Sequence, residues 1–372
     1  MDDFIPVSQP RCDGNERKYL NDCIDTGWLS SEGPYVARFE TAFAARVGRK
    51  HGIAVCNGSA ALDACVAALV LGPGDEVIMP AFTIISCAAS IVRCGARPVL
   101  VDCDSALWNM RAEGVEAAIT PRTKAIMVVH IYGLPVDMDP LLDVARRHNL
   151  RIIEDAAEMH GQTYCGRPCG SFGDLSAFSF YSNKHVTTGE GGMIVTDSEA
   201  LAERCRSLRN LCFDPRRRFV HDELGWNFRM SNLQAAVGLA QLESLDATVA
   251  RKREIGRLYT QSLSGVDALQ LPVPSTSFAE NIYWVYGVVL KEDVPFGAAE
   301  AMKKLAALGI GTRPFFWPMH RQPVFQRMGL FHGDSHPTAE RLGERGFYLP
   351  SGTGLADEQV IRAAAAMRKV VS

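Results

Sequence analysis

A lysine and an aspartate are the residues of this chain best suited to covalent chemistry. Lys184 lies in residues 179–192, a run of small, polar and glycine residues, and Asp155 ends the apolar run 151–155. A lysine amine can form a Schiff base with an aldehyde, and a carboxylate at a strand end can hold a pyridine nitrogen protonated. Either residue alone has an ordinary explanation, as a solvated cation or a turn residue. Their combination predicts an enzyme that uses pyridoxal phosphate.

The segments around these two residues predict an α/β domain. Between residues 51 and 155, short β-rich apolar runs alternate with longer helical stretches, which indicates βαβ units and a mainly parallel sheet with helices on both faces. The predicted strands are 51–56, 76–80, 97–102, 124–131, 151–155, 177–181 and 192–196. The predicted helices between them begin near Ser59, Thr83, Arg111 and Asp137.

The last third of the chain has a different pattern and predicts a second, smaller domain. Helical periodicity covers 231–264, a strand pattern covers 282–290, and helical patterns cover 296–308 and 357–371. We therefore expect a large domain over residues 1–245 and a small α+β domain over residues 246–372.

Composition excludes several classes of function. The chain has 372 residues, 47% hydrophobic and 22% charged, with a formal net charge of -3, which gives no basic field for nucleic acid. No run of apolar residues is long enough to span a membrane, so we expect a cytoplasmic protein. The 11 cysteines are scattered through apolar runs, which indicates reduced core thiols. Two groups of residues contain potential metal ligands, namely Cys165 and Cys169 with His160, and His332 with His336. Both have the composition of loops, so we expect no metal.

A strand-to-helix junction offers a phosphate site. Residues 57–60, Asn-Gly-Ser-Ala, follow the first predicted strand, where Gly58 permits close approach of the backbone and Ser59 supplies a hydroxyl. An ordinary capped helix explains the same tetrapeptide equally well. Asp155 should emerge at this edge of the sheet, whereas the side chain of Glu154 should alternate to the opposite face and have a structural role.

Ordered matches along nearly the whole chain resemble the DegT/DnrJ/EryC1/StrS family of sugar aminotransferases. The matching segments are residues 28–33, 57–62, 72–80, 154–158, 184–192 and 225–230. The resemblance implies the type I fold of aminotransferases dependent on pyridoxal phosphate, with a mainly parallel mixed sheet between helices in the large domain. It also implies a homodimer whose active sites are shared across the interface.

The resemblance assigns roles to individual residues. It implies that Lys184 is the Schiff-base lysine and acid/base, that Asp155 contacts the pyridine nitrogen and that Glu158 lies near the ring hydroxyl. The residues implied to hold the phosphate are Gly58, Ser59, Ala60, Ser179 and, from the neighbouring subunit, Asn227. The chain departs from the family at Ile84, where an aromatic ring commonly covers the cofactor; we expect binding to be retained, because an aliphatic side chain can still pack on the ring.

The implied reaction has two halves, in which L-glutamate converts the cofactor to pyridoxamine phosphate and a nucleotide-linked 4-keto-6-deoxy sugar then receives the amine. Residues 187–193 and 312–320 resemble family members that act on a GDP-linked sugar, and this resemblance implies GDP-4-keto-6-deoxy-D-mannose as acceptor, in a pathway to a surface glycan such as lipopolysaccharide O-antigen. Candidate sugar-binding residues are Ser30, His160, Arg313, Phe316 and His320. The alternatives are another keto-sugar (dTDP-linked, UDP-linked or a keto-octulosonate), a sugar dehydratase, or a non-catalytic regulatory protein on the same fold.

Overall fold

The computed structural model describes residues 4–214, 216–217 and 219–372. A 3₁₀ turn covers Met319–Arg321. The α-helices, in chain order, are α1 (Glu16–Thr26), α2 (Pro34–Val47), α3 (Gly58–Ala68), α4 (Ile85–Arg93), α5 (Ala112–Ala117), α6 (Met138–Arg147), α7 (Glu199–Arg209), α8 (Asn232–Glu243), α9 (Leu245–Leu263), α10 (Ala298–Ala307), α11 (Pro323–Arg327), α12 (Pro337–Arg345) and α13 (Asp357–Val371).

The strands form three sheets of seven, four and two strands. They are β1 (His51–Val55), β2 (Glu76–Pro80), β3 (Arg97–Val101), β4 (Thr123–Val129), β5 (Arg151–Asp155), β6 (Thr163–Tyr164), β7 (Arg167–Pro168), β8 (Leu175–Ser179), β9 (Gly192–Thr196), β10 (Leu269–Gln270), β11 (Tyr286–Leu290), β12 (Arg313–Pro314) and β13 (Gly346–Leu349).

The seven-stranded sheet is mixed and mainly parallel, as predicted. Its order is β1-β9-β8-β5-β4-β2-β3, and β9 alone runs antiparallel to both of its neighbours, β1 and β8. Every residue of β2 and β9 is buried, in agreement with strands covered on both faces. One core cluster packs α3, α4 and α7 on the sheet, and a second packs α2, α6 and α8. The carboxyl ends of β4, β5 and β8 therefore share one edge.

The four-stranded sheet is antiparallel, with the order β10-β11-β13-β12. A third core cluster covers it with side chains of α9, α10 and α13, and it includes the buried Ile5, whose backbone bridges Ile310. The first described residues thus pack against the C-terminal third of the chain. The boundary at residues 245 and 246 stays a prediction; it coincides with the start of α9.

The differences from the predicted elements have local causes. The helical pattern over 231–264 is two helices, because Ser244 ends α8 and begins α9. The strand predicted at 177–181 is β8, two residues earlier, so Tyr181 lies in a loop. The strand predicted at 282–290 begins at Tyr286, since Tyr283 has a positive φ of 48° that strands do not accommodate. Among the described residues, no helix has the length and hydropathy needed to cross a membrane.

Candidate active site

A cavity of about 300 Å³ lies at the carboxyl edge of the seven-stranded sheet, within the size range of small-molecule sites. Its floor comes from the ends of β4, β5 and β8, and one wall comes from the first turns of α3 and α4. The opposite wall is supplied by later parts of the chain. That wall contains Trp284, Arg313, Phe316 and Tyr348.

Lys184 lies in this cavity, on the loop between β8 and β9. Its side chain is 9% exposed, and Nζ lies 4.0 Å from Oε1 of Glu158. Burial lowers the pKa of Lys184, while the charges of Glu158 and Asp155 act in the opposite direction. A lowered pKa increases the fraction of neutral amine, which is the form that attacks a carbonyl or accepts a proton.

Glu158 faces the lysine from the loop after β5. Its Oε2 accepts a hydrogen bond of 2.6 Å from the amide of Tyr132. Burial raises the pKa of Glu158 to about 8, although Lys184 and the Tyr132 amide act to lower it. The 4.0 Å separation from Lys184 is at the outer limit of an ion pair, so burial outweighs that attraction. Glu158 can therefore donate a proton near neutral pH.

Asp155 ends β5 and is 3% exposed. Its Oδ1 accepts from the amide of Ala157 at 3.0 Å, and its Oδ2 lies 3.2 Å from the thiol of Cys87. Burial raises the pKa of Asp155, and these two hydrogen bonds oppose the rise. A cationic ring nitrogen placed against the carboxylate would favour its ionised form.

Glu154, the preceding residue, points away from the cavity into the second core, as the alternation of a strand requires. Its carboxylate accepts from His130, Ser176 and three backbone amides, those of Gly170, Phe172 and Gly173. Burial acts to raise the pKa of Glu154, but the hydrogen bond and charge of His130 and the backbone donors leave it lowered. The predicted structural role of Glu154 is confirmed.

The predicted phosphate segment forms the first turn of α3 beside Ser179. Asn57 caps the helix and accepts from the amide of Ala60 at 2.8 Å, while the first-turn amides of Gly58 and Ser59 have no acceptor within an α-helix. A Cβ atom at Gly58 would lie 2.7 Å from Cβ of Ser179, so only glycine allows this approach. The hydroxyls of Ser59 and Ser86 lie 2.7 Å apart. Two helix N-termini thus converge, which favours an anion.

These residues fit pyridoxal phosphate. The cavity combines a mostly buried lysine for the aldehyde, a buried carboxylate at the floor for the ring nitrogen, and a hydroxyl-lined pair of helix starts for the phosphate. Ile84, at the position where the family commonly has an aromatic ring, lines the same cavity and is 41% exposed. Its side chain is thus available to pack on a bound ring.

The structure brings together most of the residues predicted from the sequence. The predicted residues that line the cavity are Gly58, Ser59, Asp155, Glu158, Ser179, Lys184, Arg313 and Phe316. Ala60 is adjacent but buried, with its amide bonded to Asn57.

Four further predicted residues also lie outside the lining of this cavity. Ser30 and Asn227 are exposed on the surface. His160 is 1% exposed and packs among phenylalanine rings, with a ring-centroid distance of 5.4 Å to Phe180, and burial lowers its pKa to about 3. His320 is buried and bonded to Glu340 at 2.8 Å.

Sequence reasoning missed several residues of the cavity, namely Ser86, Trp284 and Tyr348, and also Tyr132, whose amide supports Glu158 from outside the lining. Ser86 follows a predicted strand–helix junction, and that signal could have identified it. Trp284 and Tyr348 come from segments with no motif, and only their packing into a core cluster of the large domain places them here.

A larger cavity of about 650 Å³ lies elsewhere, near Arg206, Arg209 and Arg229. Its lining contains no lysine, and Arg209 and Arg229 are already bonded to Glu40 and Asn210. It therefore lacks the groups for covalent chemistry. Among the residues that the structure describes, no group of three or more His, Cys, Asp or Glu side chains could hold a metal ion.

Comparison with known proteins gives consistent results. The model of the DegT/DnrJ/EryC1/StrS aminotransferase family matches residues 10–368. The chain is 46% identical to GDP-perosamine synthase of Caulobacter vibrioides, covering 99% of this chain and 98% of that protein, and 41% identical to GDP-perosamine synthase of Vibrio cholerae, covering 96% of each. The crystal structure of the aminotransferase TlmJ from Streptoalloteichus hindustanus has a TM-score of 0.92, with 32% identity and 98% of both chains covered.

Proposed function

The chain belongs to the DegT/DnrJ/EryC1/StrS aminotransferase family, and we propose that it transfers the amino group of L-glutamate to GDP-4-keto-6-deoxy-D-mannose, forming GDP-perosamine. The general class is that of the family: a sugar aminotransferase that uses pyridoxal phosphate. The GDP-linked acceptor is supported by the names of two relatives that are 46% and 41% identical over almost the whole chain. The observation that carries the mechanism is the meeting of Lys184, Asp155 and the Gly58–Ser59 turn in one cavity.

The residues have separate tasks in this proposal. Bound pyridoxal phosphate supplies an aldehyde for covalent attachment and a ring that accepts electrons from the substrate carbon. Lys184 Nζ would hold the cofactor through that aldehyde and, as a free amine, would move the proton that transamination requires. Asp155 favours a protonated ring nitrogen, and Glu158, with its raised pKa, can share a proton with the neighbouring ring oxygen. Arg313 and Phe316 are placed to contact the sugar nucleotide from the opposite wall.

We also propose that the active site is completed by a second copy of the chain. Asn227 matches the family position that contacts the phosphate of the neighbouring subunit, and it is exposed and outside its own cavity. Beside it in the chain, large apolar side chains are exposed, Leu224 at 90% and Trp226 at 36%, as expected of a face that another copy covers. A homodimer would bury this face and bring Asn227 to the partner's site.

Sugar dehydration on the same scaffold is a less suitable function. In relatives with that activity a histidine replaces the lysine, whereas this chain has Lys184 in the cavity and the neighbouring His185 buried away from its lining. Regulation without catalysis is also disfavoured, because a buried lysine between two buried carboxylates is costly to maintain without a use.

The proposal is tested by incubating the purified protein with pyridoxal phosphate, L-glutamate and GDP-4-keto-6-deoxy-D-mannose. Mass spectrometry should detect a GDP-amino sugar together with 2-oxoglutarate. Replacement of Lys184 by Ala should abolish both products, whereas replacement of the exposed Lys124 by Ala should not. Formation of 2-oxoglutarate while the GDP-linked sugar stays unchanged would support an aminotransferase but reject this acceptor. Near-normal turnover by K184A would reject the role of the lysine.

A further inference from the structure

Trp284 makes a direct contact with the reactive lysine that no sequence motif indicates. Nζ of Lys184 lies 3.7 Å from the centroid of the Trp284 ring, well inside the distance of about 6 Å at which a cation interacts with an aromatic face. Trp284 is 4% exposed, so little water reaches its ring. The ring belongs to the segment just before β11, 100 residues beyond the lysine in the chain.

The ring is fixed from both sides. Its indole N–H donates to the carbonyl of Asn183 at 3.0 Å, which ties it to the loop that carries Lys184. Its own carbonyl accepts from Nζ of the buried Lys252 at 2.8 Å, and the same ammonium donates to the carbonyl of Ser351 at 2.6 Å. The Tyr132 ring packs against it at a centroid distance of 5.8 Å. Trp284 is therefore a rigid surface for the lysine.

The groups around Nζ other than the Trp284 ring provide little attraction for an ammonium. Glu158 is 4.0 Å away, and burial favours its neutral form; Asp155 is held by Cys87 and Ala157 on the cavity floor. Lys252, His160 and His185 also interact electrostatically with the lysine, and burial lowers the pKa of all three, so none of them attracts an ammonium at Nζ. The face of Trp284, 3.7 Å from Nζ, thus attracts an ammonium without depending on a titration of its own.

We propose that Trp284 is a positioning residue that holds the amine of Lys184 against its ring while the lysine is not bonded to the cofactor. The inference rests on the proposed role of Lys184. It assigns to Trp284 two effects: it fixes the direction of Nζ, and it stabilises the ammonium form inside a buried site. Lys252 acts on the same lysine indirectly, by anchoring the Trp284 backbone.

The test uses the apoenzyme and two substitutions. Trp284→Phe keeps an aromatic face but removes the indole N–H, and Trp284→Leu removes both. Lys184 is acetylated competitively with acetic anhydride between pH 6 and pH 11, and the midpoint of its labelling is read by mass spectrometry of its peptide. The midpoint should fall in the order wild type, Trp284→Phe, Trp284→Leu, with a total shift of about half to one pH unit. The exposed Lys124 serves as internal control, with one midpoint in all three proteins.

The labelling midpoints distinguish the contact with the aromatic face from an effect of the indole hydrogen bond or of reagent access. Equal midpoints in the two variants would assign the effect to the indole hydrogen bond and overturn the proposal, as would an unchanged midpoint in Trp284→Leu. A higher plateau of labelling with the same midpoint would show only that the reagent reaches Lys184 more easily. That result would also overturn the proposal. Should Trp284→Leu fail to fold, the midpoint of Trp284→Phe must still lie below that of the wild type. If K184A retained transamination, the proposed function would be rejected instead. The labelling midpoint of Lys184 does not depend on that result.

Discussion

Glu154 and Asp155 are adjacent on β5, and their buried carboxylates lie on opposite faces of the sheet with opposite shifts of pKa. Five donors surround Glu154 and lower its pKa despite its burial, whereas Asp155 has two donors and a raised pKa. A carboxylate with few partners, held at a cavity, is available to a ligand. A carboxylate surrounded by donors stabilises the fold.

This contrast predicts different results for two matched substitutions. Asp155→Asn should reduce transamination by at least about a hundredfold, because the amide cannot stabilise a protonated ring nitrogen, and it should leave the free energy of unfolding almost unchanged. Glu154→Gln should keep the turnover of the folded enzyme but lower the free energy of unfolding by about 2–4 kcal/mol, because an NH₂ group would face hydrogen-bond donors. Steady-state kinetics and urea denaturation measure the two quantities. A stability loss in Asp155→Asn that equals the loss in Glu154→Gln would refute the distinction.

The raised pKa of Glu158 predicts how the stability of the apoenzyme depends on pH. The folded protein retains the Glu158 proton up to about pH 8, while the unfolded chain loses it near the ordinary pKa of a glutamate, so this residue makes the fold less stable as pH rises between these values. Glu158→Gln removes the effect. Relative to wild type, the variant should therefore gain stability from pH 5 to pH 8, on the order of 3 kcal/mol.

Chemical denaturation of both proteins across this pH range provides the measurement. The opposite trend would mean that an ion pair with Lys184 outweighs burial. Glu154→Gln is the control: because the lowered pKa of Glu154 makes its contribution complete above the ordinary pKa and lost only as pH falls through the lowered one, its stability difference from wild type should stay constant between pH 5 and pH 8.

The two serine hydroxyls at the starts of α3 and α4 predict a graded effect on cofactor affinity. Ser59→Ala should raise the dissociation constant for pyridoxal phosphate about tenfold, since it removes a hydrogen bond to a charged group, and Ser86→Ala should raise it severalfold through the loss of its 2.7 Å partner. Absorbance titration of the apoenzyme measures both constants. Ser105→Ala, at an exposed position outside the cavity, should bind as wild type does. An unchanged constant in Ser86→Ala would exclude that residue from the phosphate site.

The shared active site predicts complementation between two impaired variants. Lys184→Ala lacks the reactive amine and Asn227→Ala lacks the residue offered to the neighbour, but a mixed dimer contains one site with both groups intact. Unfolding and refolding an equal mixture should restore about a quarter of wild-type activity, assayed at a cofactor concentration too low to load Asn227→Ala. Activity that equals the sum of the separate variants would place Asn227 in its own subunit's site.

Sequence reasoning identified Lys184, Asp155 and the Gly58–Ser59 turn because each lies where a strand gives way to a loop or helix. At the carboxyl edge of a parallel sheet such positions converge, so periodicity and punctuation are enough to bring them together. The alternation of side chains along a strand likewise predicts that Glu154 and Asp155 point to opposite faces of the sheet.

Other residues could not be placed in this way. His160 follows Asp155 closely in the chain, yet its ring packs among phenylalanines of the core, because burial of an aromatic face among rings competes with exposure to a cavity. The strand end at Tyr181 was displaced by two residues, since apolar residues of a buried loop resemble a strand.

The sequence by itself determined the chemistry: a lysine, a carboxylate and an anion-binding turn are local features that periodicity assigns to one sheet edge. The tertiary structure alone decided what surrounds them. Trp284 and Tyr348 come from 100 and 164 residues beyond Lys184, and they reach the cavity because their side chains join a core cluster of the large domain. The shifted pKa values of Lys184 and Glu158 have the same origin, since burial is a property of the packed fold and no local pattern encodes it.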